Sequence, residues 1–217
     1  MKSKVLLFAL AATALSLTSK AQDKTTFGIR AGVNFQNLTG EDGAGKDLDL
    51  DLKTGFHIGV NAEIPIAQQF YVQPGLLFST KGAKEKLPGD DFKWNFSYLE
   101  IPINLLYKPE LGPGKLLLGF GPYIGIAVGG KIKVGDEDQD IKFKNDLTVS
   151  EAASDDIYSK RLDFGGNLLA GYELSSKISF QLNAQLGMTN LNPKVDGKKQ
   201  DAKTKNTGFG LSVGYRF

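Results

Sequence analysis

Cysteine is absent from the 217 residues. The chain therefore has no disulfide frame, no thiolate metal site and no cysteine for N-terminal lipidation. Histidine occurs once, at His57. With a single imidazole and no serine suitably placed beside it in the sequence, a Ser–His–Asp arrangement cannot be assembled convincingly. Long apolar runs are also missing: mean hydropathy is −0.19, which argues against helical membrane spans. It does not argue against a barrel, whose strands alternate apolar and polar residues and average out.

One apolar stretch does occur, at the start. Lys2 and Lys4 precede an apolar core from Val5 to Leu17, and Ser19-Lys20-Ala21 reads as a small-x-small cleavage site before Gln22. Residues 1–21 are expected to be a secretory signal peptide. The run is shorter than the ~20 residues of a spanning helix. Removing residues 1–21 takes away three lysines and no acid, so the formal charge falls from +2 to −1. The basic balance belongs partly to the precursor, and no nucleic-acid partner is implied.

What fills residues 22–217 is alternation. The last stretch, Asn206 to Phe217, puts Phe209, Leu211, Val213, Tyr215 and Phe217 on one parity and Gly208, Gly210, Ser212, Gly214 and Arg216 on the other. A period of two is the mark of a strand, because successive side chains point to opposite faces. The same pattern recurs at 25–36, 54–66, 70–81, about 94–108, 115–133, 160–173 and 178–189, which makes eight strands. Trp94 and Phe96 fall on the opposite parity to Leu99, Ile101 and Ile103, so a bulge is expected near Ser97–Leu99. The links between strands alternate long, short, long, short, long, short, long. Outer-membrane barrels have an even strand number, short periplasmic turns and long external loops. The fold expected is an all-β, eight-stranded antiparallel up-and-down transmembrane β-barrel with both termini periplasmic, in a Gram-negative outer membrane.

Which parity faces inward decides between architectures. A sandwich would bury the apolar face between sheets, and a lipocalin-like soluble barrel would turn it toward a greasy ligand. The other parity is rich in Gly, Asn, Gln and Ser. Small polar residues suit the crowded interior of an eight-stranded barrel, which side chains just fill. The apolar face is therefore expected to meet lipid, and no open channel is expected.

The inward parity also carries Arg30, Glu63, Glu100, Arg161, Asp163 and Arg216. Buried charges must be paired, so these six are expected to form an acid–arginine network that fills and staples the lumen; a gate or small polar binding site is the sharper alternative. His57 is expected to hydrogen-bond in the lumen or near its rim. Asp47, Asp49 and Asp51, and again Asp136, Asp138 and Asp140, alternate within loops. Oxygen clusters suit Ca²⁺, but solvated loop faces are the simpler reading, and no cofactor is expected. The fourth long loop is basic (Lys194, Lys198, Lys199, Lys203, Lys205) and the first and third are acidic, so the loops can lie against one another or touch lipopolysaccharide. Lys108 and Lys115 flank a short turn and read as interface anchors. Pro65 and Pro102 mark bulges or strand ends.

FGIRAGVNF at 27–35, FYVQPGLLFSTKG at 70–82, YLEIPINLLYK at 98–108, GPYIG at 121–125 and the terminal GFGLSVGYRF resemble the PorT-type outer-membrane β-barrel family. The resemblance spans essentially all of 22–217. It implies a non-enzymatic outer-membrane barrel with no catalytic residues to carry over; for some members it implies a place in protein secretion or envelope assembly. The partners expected are outer-membrane lipid and lipopolysaccharide, secretion or envelope proteins, and the barrel-assembly machinery, for which Tyr215 and Phe217 would form the C-terminal insertion signal. A small-solute channel, a barrel enzyme and a soluble ligand-binding barrel are the alternatives.

Overall fold

Eight strands pair in chain order and close on themselves. The computed structural model describes residues 24–86, 91–135 and 137–217. The signal-peptide expectation and Asp136 lie outside the described residues. The barrel strands are β1 (Thr26–Glu41), β2 (Asp51–Ala67), β3 (Phe70–Lys86), β4 (Asp91–Tyr107), β5 (Gly114–Val134), β6 (Leu162–Glu173), β7 (Ile178–Gly187) and β8 (Lys203–Arg216). Each pairs antiparallel with its neighbours, and β8 closes on β1 from Gly28↔Arg216 to Glu41↔Lys203. Closure removes both sheet edges, so no row of backbone donors is left open to lipid.

The bulky parity faces out. Phe120 is 59% exposed, Leu168 57% and Leu211 54%. The opposite parity (Ser79, Glu100, Asn104, Asp163, Ser212) is buried in the lumen. This disposition excludes a soluble barrel with an apolar cup. Aromatic pairs stand on the outer surface toward the short-turn end: Phe70 stacks on Tyr107 at 4.8 Å, and Tyr215 meets Phe217 edge-on at 5.5 Å. No helix among the described residues is long and apolar enough to cross a membrane.

β2 turns into β3 through Gln68-Gln69, with Gln69 at φ 65°. The other two tight links are 108–113 and 174–177. Lys24, where the described chain begins, and Phe217 share this end. The opposite end is built up well beyond the ring. The stretch expected to loop after Lys81 is instead a hairpin: β3 and β4 stay paired to Lys86↔Asp91. Gly82 makes this fit. Its φ of 137° suits glycine, and a β-carbon there would collide with the Trp94 carbonyl.

The irregularity falls at the level expected, between Ser97 and Tyr98, but the extra residue is on the partner strand. β4 runs against β3 without a break through Ser79↔Tyr98 and Ala83↔Trp94. The irregularity is in β5: Ser97 pairs with Gly129 and Tyr98 with Ala127, so Val128 is the extra residue. Phe96 and Tyr98 keep the inward parity of Glu100. They belong to an apolar cluster at the long-loop end with Leu38, Ala83, Ala127, Ile132, Ile141 and Leu191. The parity switch in the side-chain pattern is thus a change of lumen chemistry, from polar in the middle to apolar above.

Proline behaves in two ways. Pro65 precedes the end of β2 at a register irregularity against β3. Pro102 sits mid-strand, and the β4–β5 pairing skips Ile103 and Asn104 beside it. The third long loop carries its own structure. Glu137–Phe143 pairs back antiparallel on the end of β5, Ile157–Ser159 pairs with it in parallel, and a four-residue helix, α1 (Val149–Ala152), opens on a Thr148–Glu151 capping box. Asp146–Leu147 pairs in parallel with Lys194–Val195, which ties the third loop to the fourth.

Candidate functional site in the lumen

The lumen is a column of three polar groups under an apolar stopper. At the short-turn end, Lys108 Nζ lies 2.7 Å from Glu63 Oε2 and 3.0 Å from Glu173 Oε2. Arg216 Nη2 donates to Glu63 Oε1, and Gln73 Nε2 donates to the same oxygen at 3.2 Å. Two cations thus face two carboxylates, and the group is neutral. Leu106, Leu117 and Leu169 fill the space beside it.

The middle group is a directed hydrogen-bond chain. Arg30 Nη1 donates to Asn183 Oδ1 at 3.4 Å, and Asn183 Nδ2 to Ser212 Oγ at 2.7 Å. Ser212 Oγ lies 2.8 Å from His57 Nε2, and His57 Nδ1 lies 2.7 Å from Asn34 Oδ1. Asn34 Nδ2 donates to Ser79 Oγ at 3.1 Å. The two amides fix the direction: Asn34 presents its oxygen, so His57 carries its proton on Nδ1 and accepts from Ser212 on Nε2. Gly32 permits the ring to sit there, since a β-carbon would come within 2.7 Å of His57 Cε1.

The third group surrounds a lysine with no exposed surface. Lys81 Nζ lies 2.7 Å from Glu100 Oε1 and 3.3 Å from Asp163 Oδ2. Tyr123 Oη donates to Asp163 Oδ2 at 3.0 Å, and Asn206 Nδ2 does so at 2.9 Å. Gln185 Nε2 donates to Glu100 Oε2 at 2.9 Å, and Lys81 also stands 4.3 Å above the Tyr123 ring. Arg30 lines a cavity of about 30 Å³ together with Glu100. Counting Arg30, two cations again offset two carboxylates.

Of the six charged residues expected in the lumen, the structure brings Glu63 together with Arg216, and Glu100 with Asp163 through Lys81; Arg30 stands beside Glu100 without an ion pair. Arg161 is a correction. It precedes β6, is exposed, donates to the Ala127 carbonyl at 3.4 Å and covers the Phe143 ring at 5.2 Å. Once outside the ladder, its parity no longer fixes its side. Lys81, Lys108 and Glu173 were missed, and Lys108 is a lumen residue rather than an interface anchor. Each continues the inward parity of its strand at or just past the expected strand end. Tyr215 and Phe217, by contrast, face outward, 44% and 61% exposed.

Ser212, His57 and Asn34 have the order of a nucleophile, a base and its orienting amide. The surroundings do not suit that chemistry. Ser212 Oγ is already engaged by Asn183 and His57. The adjoining cavity holds about one water, at roughly 30 Å³ per molecule, so there is no place for an acyl group about 3 Å from the oxygen. Among the described residues, no group of three or more His, Asp or Glu side chains could hold a metal ion.

Charge at the long-loop end is organised locally. Backbone N–H groups of Ala44 and Lys46 bond Asp42 and hold its carboxyl below the ordinary range. Lys144 and the Thr148 amide lower Glu151 to about 2, and Lys142 lowers Asp156. Lys160 is shifted down by partial burial and by Lys194 and Lys199. Lys203 pairs with Glu41 at 3.0 Å, which links the basic loop to the acidic first one.

A model of the outer membrane protein beta-barrel domain family matches residues 6–217. Nothing among curated proteins matches the chain. Among the similar solved structures are three that each cover 90% of this chain and 100% of the other. They are Neisserial surface protein A, NspA (14% identity, TM-score 0.46), Ail, the attachment invasion locus protein of Yersinia pestis, in complex with the heparin analogue sucrose octasulfate (14%, 0.44), and a major outer membrane protein from Thermus thermophilus (16%, 0.45).

Proposed function

We propose, starting from the fact that the chain belongs to the outer membrane protein beta-barrel domain family, that this outer-membrane barrel is a closed, non-enzymatic scaffold working through its long-loop end. The filled lumen carries the reading. Ion groups occupy its two ends, a hydrogen-bond chain its middle, and the Phe96–Tyr98 apolar cluster stops the long-loop end. A water-filled pore needs a continuous polar path, and an eight-stranded barrel has little room to spare.

In this reading residues 1–21 are removed on export, and the short turns and both termini face the periplasm. Tyr215 and Phe217 are read by the barrel-assembly machinery. The joined third and fourth loops form the outer platform, with Lys194, Lys198 and Lys199 available to lipopolysaccharide phosphates. A PorT-type place in secretion or envelope assembly is the finer reading, supported by the YLEIPINLLYK motif at 98–108.

Liposome swelling tests the closed lumen: purified protein should give no solute flux above empty vesicles, and flux would overturn the reading. Crosslinking in intact cells tests the platform. Partners captured through a photoreactive residue at Val149, 62% exposed on α1, should be envelope proteins or lipopolysaccharide; capture only at positions on the short-turn end would sink it.

A further inference from the structure

We infer that the short-turn mouth of the barrel is a binding site for an oxyanion, with phosphate as its simplest form. A cavity of about 740 Å³ opens there. Its floor is the neutral group of Glu63, Glu173, Lys108 and Arg216. Around the mouth stand Lys24, Lys115 and Lys177, against one further carboxylate, Glu110. None of these four makes an ion pair within 4 Å among the described residues. The lining therefore carries five cationic side chains and three acidic ones, an excess of two positive side-chain charges in a concave site, where fields are focused.

Arg216 supplies the second observation. Its residue is 8% exposed, and it lines the cavity, but only Nη2 has a partner; Nε and Nη1 are buried with no hydrogen-bond acceptor. Unpaired guanidinium donors are costly to bury, and phosphate or carboxylate oxygens are the groups that guanidinium binds best. The acids present cannot serve both donors: Glu63 is shared among Arg216, Lys108 and Gln73, and Glu173 is held by Lys108. An incoming oxyanion would meet the three mouth lysines first, and a turn of the Arg216 side chain would bring its unpartnered donors, now packed near Gly28, toward it. Such an anion comes from free solute or from a lipid headgroup of the neighbouring leaflet.

The test is a titration of the isotope-labelled full barrel in uncharged micelles with inorganic phosphate, following the Arg216 Nε–H resonance. The expected result is a saturable shift, absent with chloride at equal ionic strength. Replacing Lys115→Gln and Lys177→Gln together should weaken phosphate about tenfold while heat-modifiable migration on a gel stays unchanged. In lipid nanodiscs, phosphatidylglycerol alone would produce the bound shift if headgroups are the source; if free solute is the source, only added phosphate would. Equal, non-saturating responses to phosphate and chloride would overturn the site. So would full phosphate affinity in the folded double variant. If that variant does not fold, the wild-type titration decides alone.

Discussion

Lys81 and Asp163 sit on strands β3 and β6, 82 positions apart in sequence, and meet at 3.3 Å beneath the apolar stopper with neither side chain reaching solvent. Glu100 completes the contact from β4 at 2.7 Å. The group thus ties β6 across the lumen to β3 and β4. Removing Lys81 leaves two buried carboxylates with only Arg30, which makes an ion pair with neither, to offset them. Lys81→Met should therefore lower stability by roughly 3–5 kcal/mol in urea unfolding from micelles. Adding Glu100→Gln and Asp163→Asn to the same variant should recover most of the loss. A single variant as stable as wild type would show that the contact is not formed.

The apolar stopper is testable in the same assay. Phe96 is 5% exposed within its cluster, so Phe96→Ala should cost about 3–5 kcal/mol through the cavity it leaves. Conductance in planar bilayers should stay at background, because the Lys81 group beneath still fills the lumen. Stable ion channels in this variant would mean that the stopper alone closes the barrel.

Ser212→Ala separates structure from catalysis. The change leaves the Asn183 amide donor and the His57 Nε2 acceptor without a partner, which should cost about 1–3 kcal/mol. Hydrolysis of soluble esters by wild-type protein should match that of the variant. Any turnover that depends on Ser212 would make the barrel an enzyme.

The α1 capping box should respond to acid. Its Glu151 carboxyl titrates at about 2 in the fold, pushed down by Lys144 and the Thr148 amide, against roughly 4.3 for a free glutamate. A depressed carboxylate stabilises the fold above its unfolded pKa and loses that contribution as pH falls through the folded value. Amide protection at Ala152 and Ala153, whose N–H groups bond Thr148 and Val149 carbonyls, taken relative to the unstructured chain at the same pH, should thus hold at pH 5 and fall between about pH 4 and pH 2. In Glu151→Gln the step should vanish. A step centred near pH 6 would contradict the assignment.

Gln69 closes the β2–β3 turn at φ 65°, a left-handed conformation that strains any residue with a β-carbon. Gln69→Gly should therefore stabilise the barrel, by up to ~1 kcal/mol, with no effect on the lumen. Destabilisation would show that the Gln69 side chain contributes more than its backbone strain removes.

The ring of strands was legible because alternation and link length are local properties. Phe209, Leu211 and Val213 declare their face without reference to any partner. The lumen was legible only in part. Glu63, Arg216, Glu100 and Asp163 stood inside clear alternation, but Lys81, Lys108 and Glu173 lay where it fades into turn composition, and a lysine beside a loop reads as solvated. The same parity that placed Glu100 extends to Lys108 and could have found it. The partnership of Ser212 with His57 was not legible, because it depends on the β1–β8 closure that brings residues 155 apart in sequence within 2.8 Å. Nor was the stopper: inward aromatics at Trp94 and Phe96 look like a slipped register unless the change from polar to apolar lumen is known.

Val128 sets a limit on how the gene can change. It is the one residue by which β5 outruns β4, and beyond it Ile132 points to the stopper while Lys131 points away. Deleting it would restore strict alternation and turn the end of β5 inside out, with Lys131 and Lys133 driven against Phe96 and Leu191. Substitutions at Val128 should be cheap and a one-codon deletion ruinous, so length rather than identity is what this position demands.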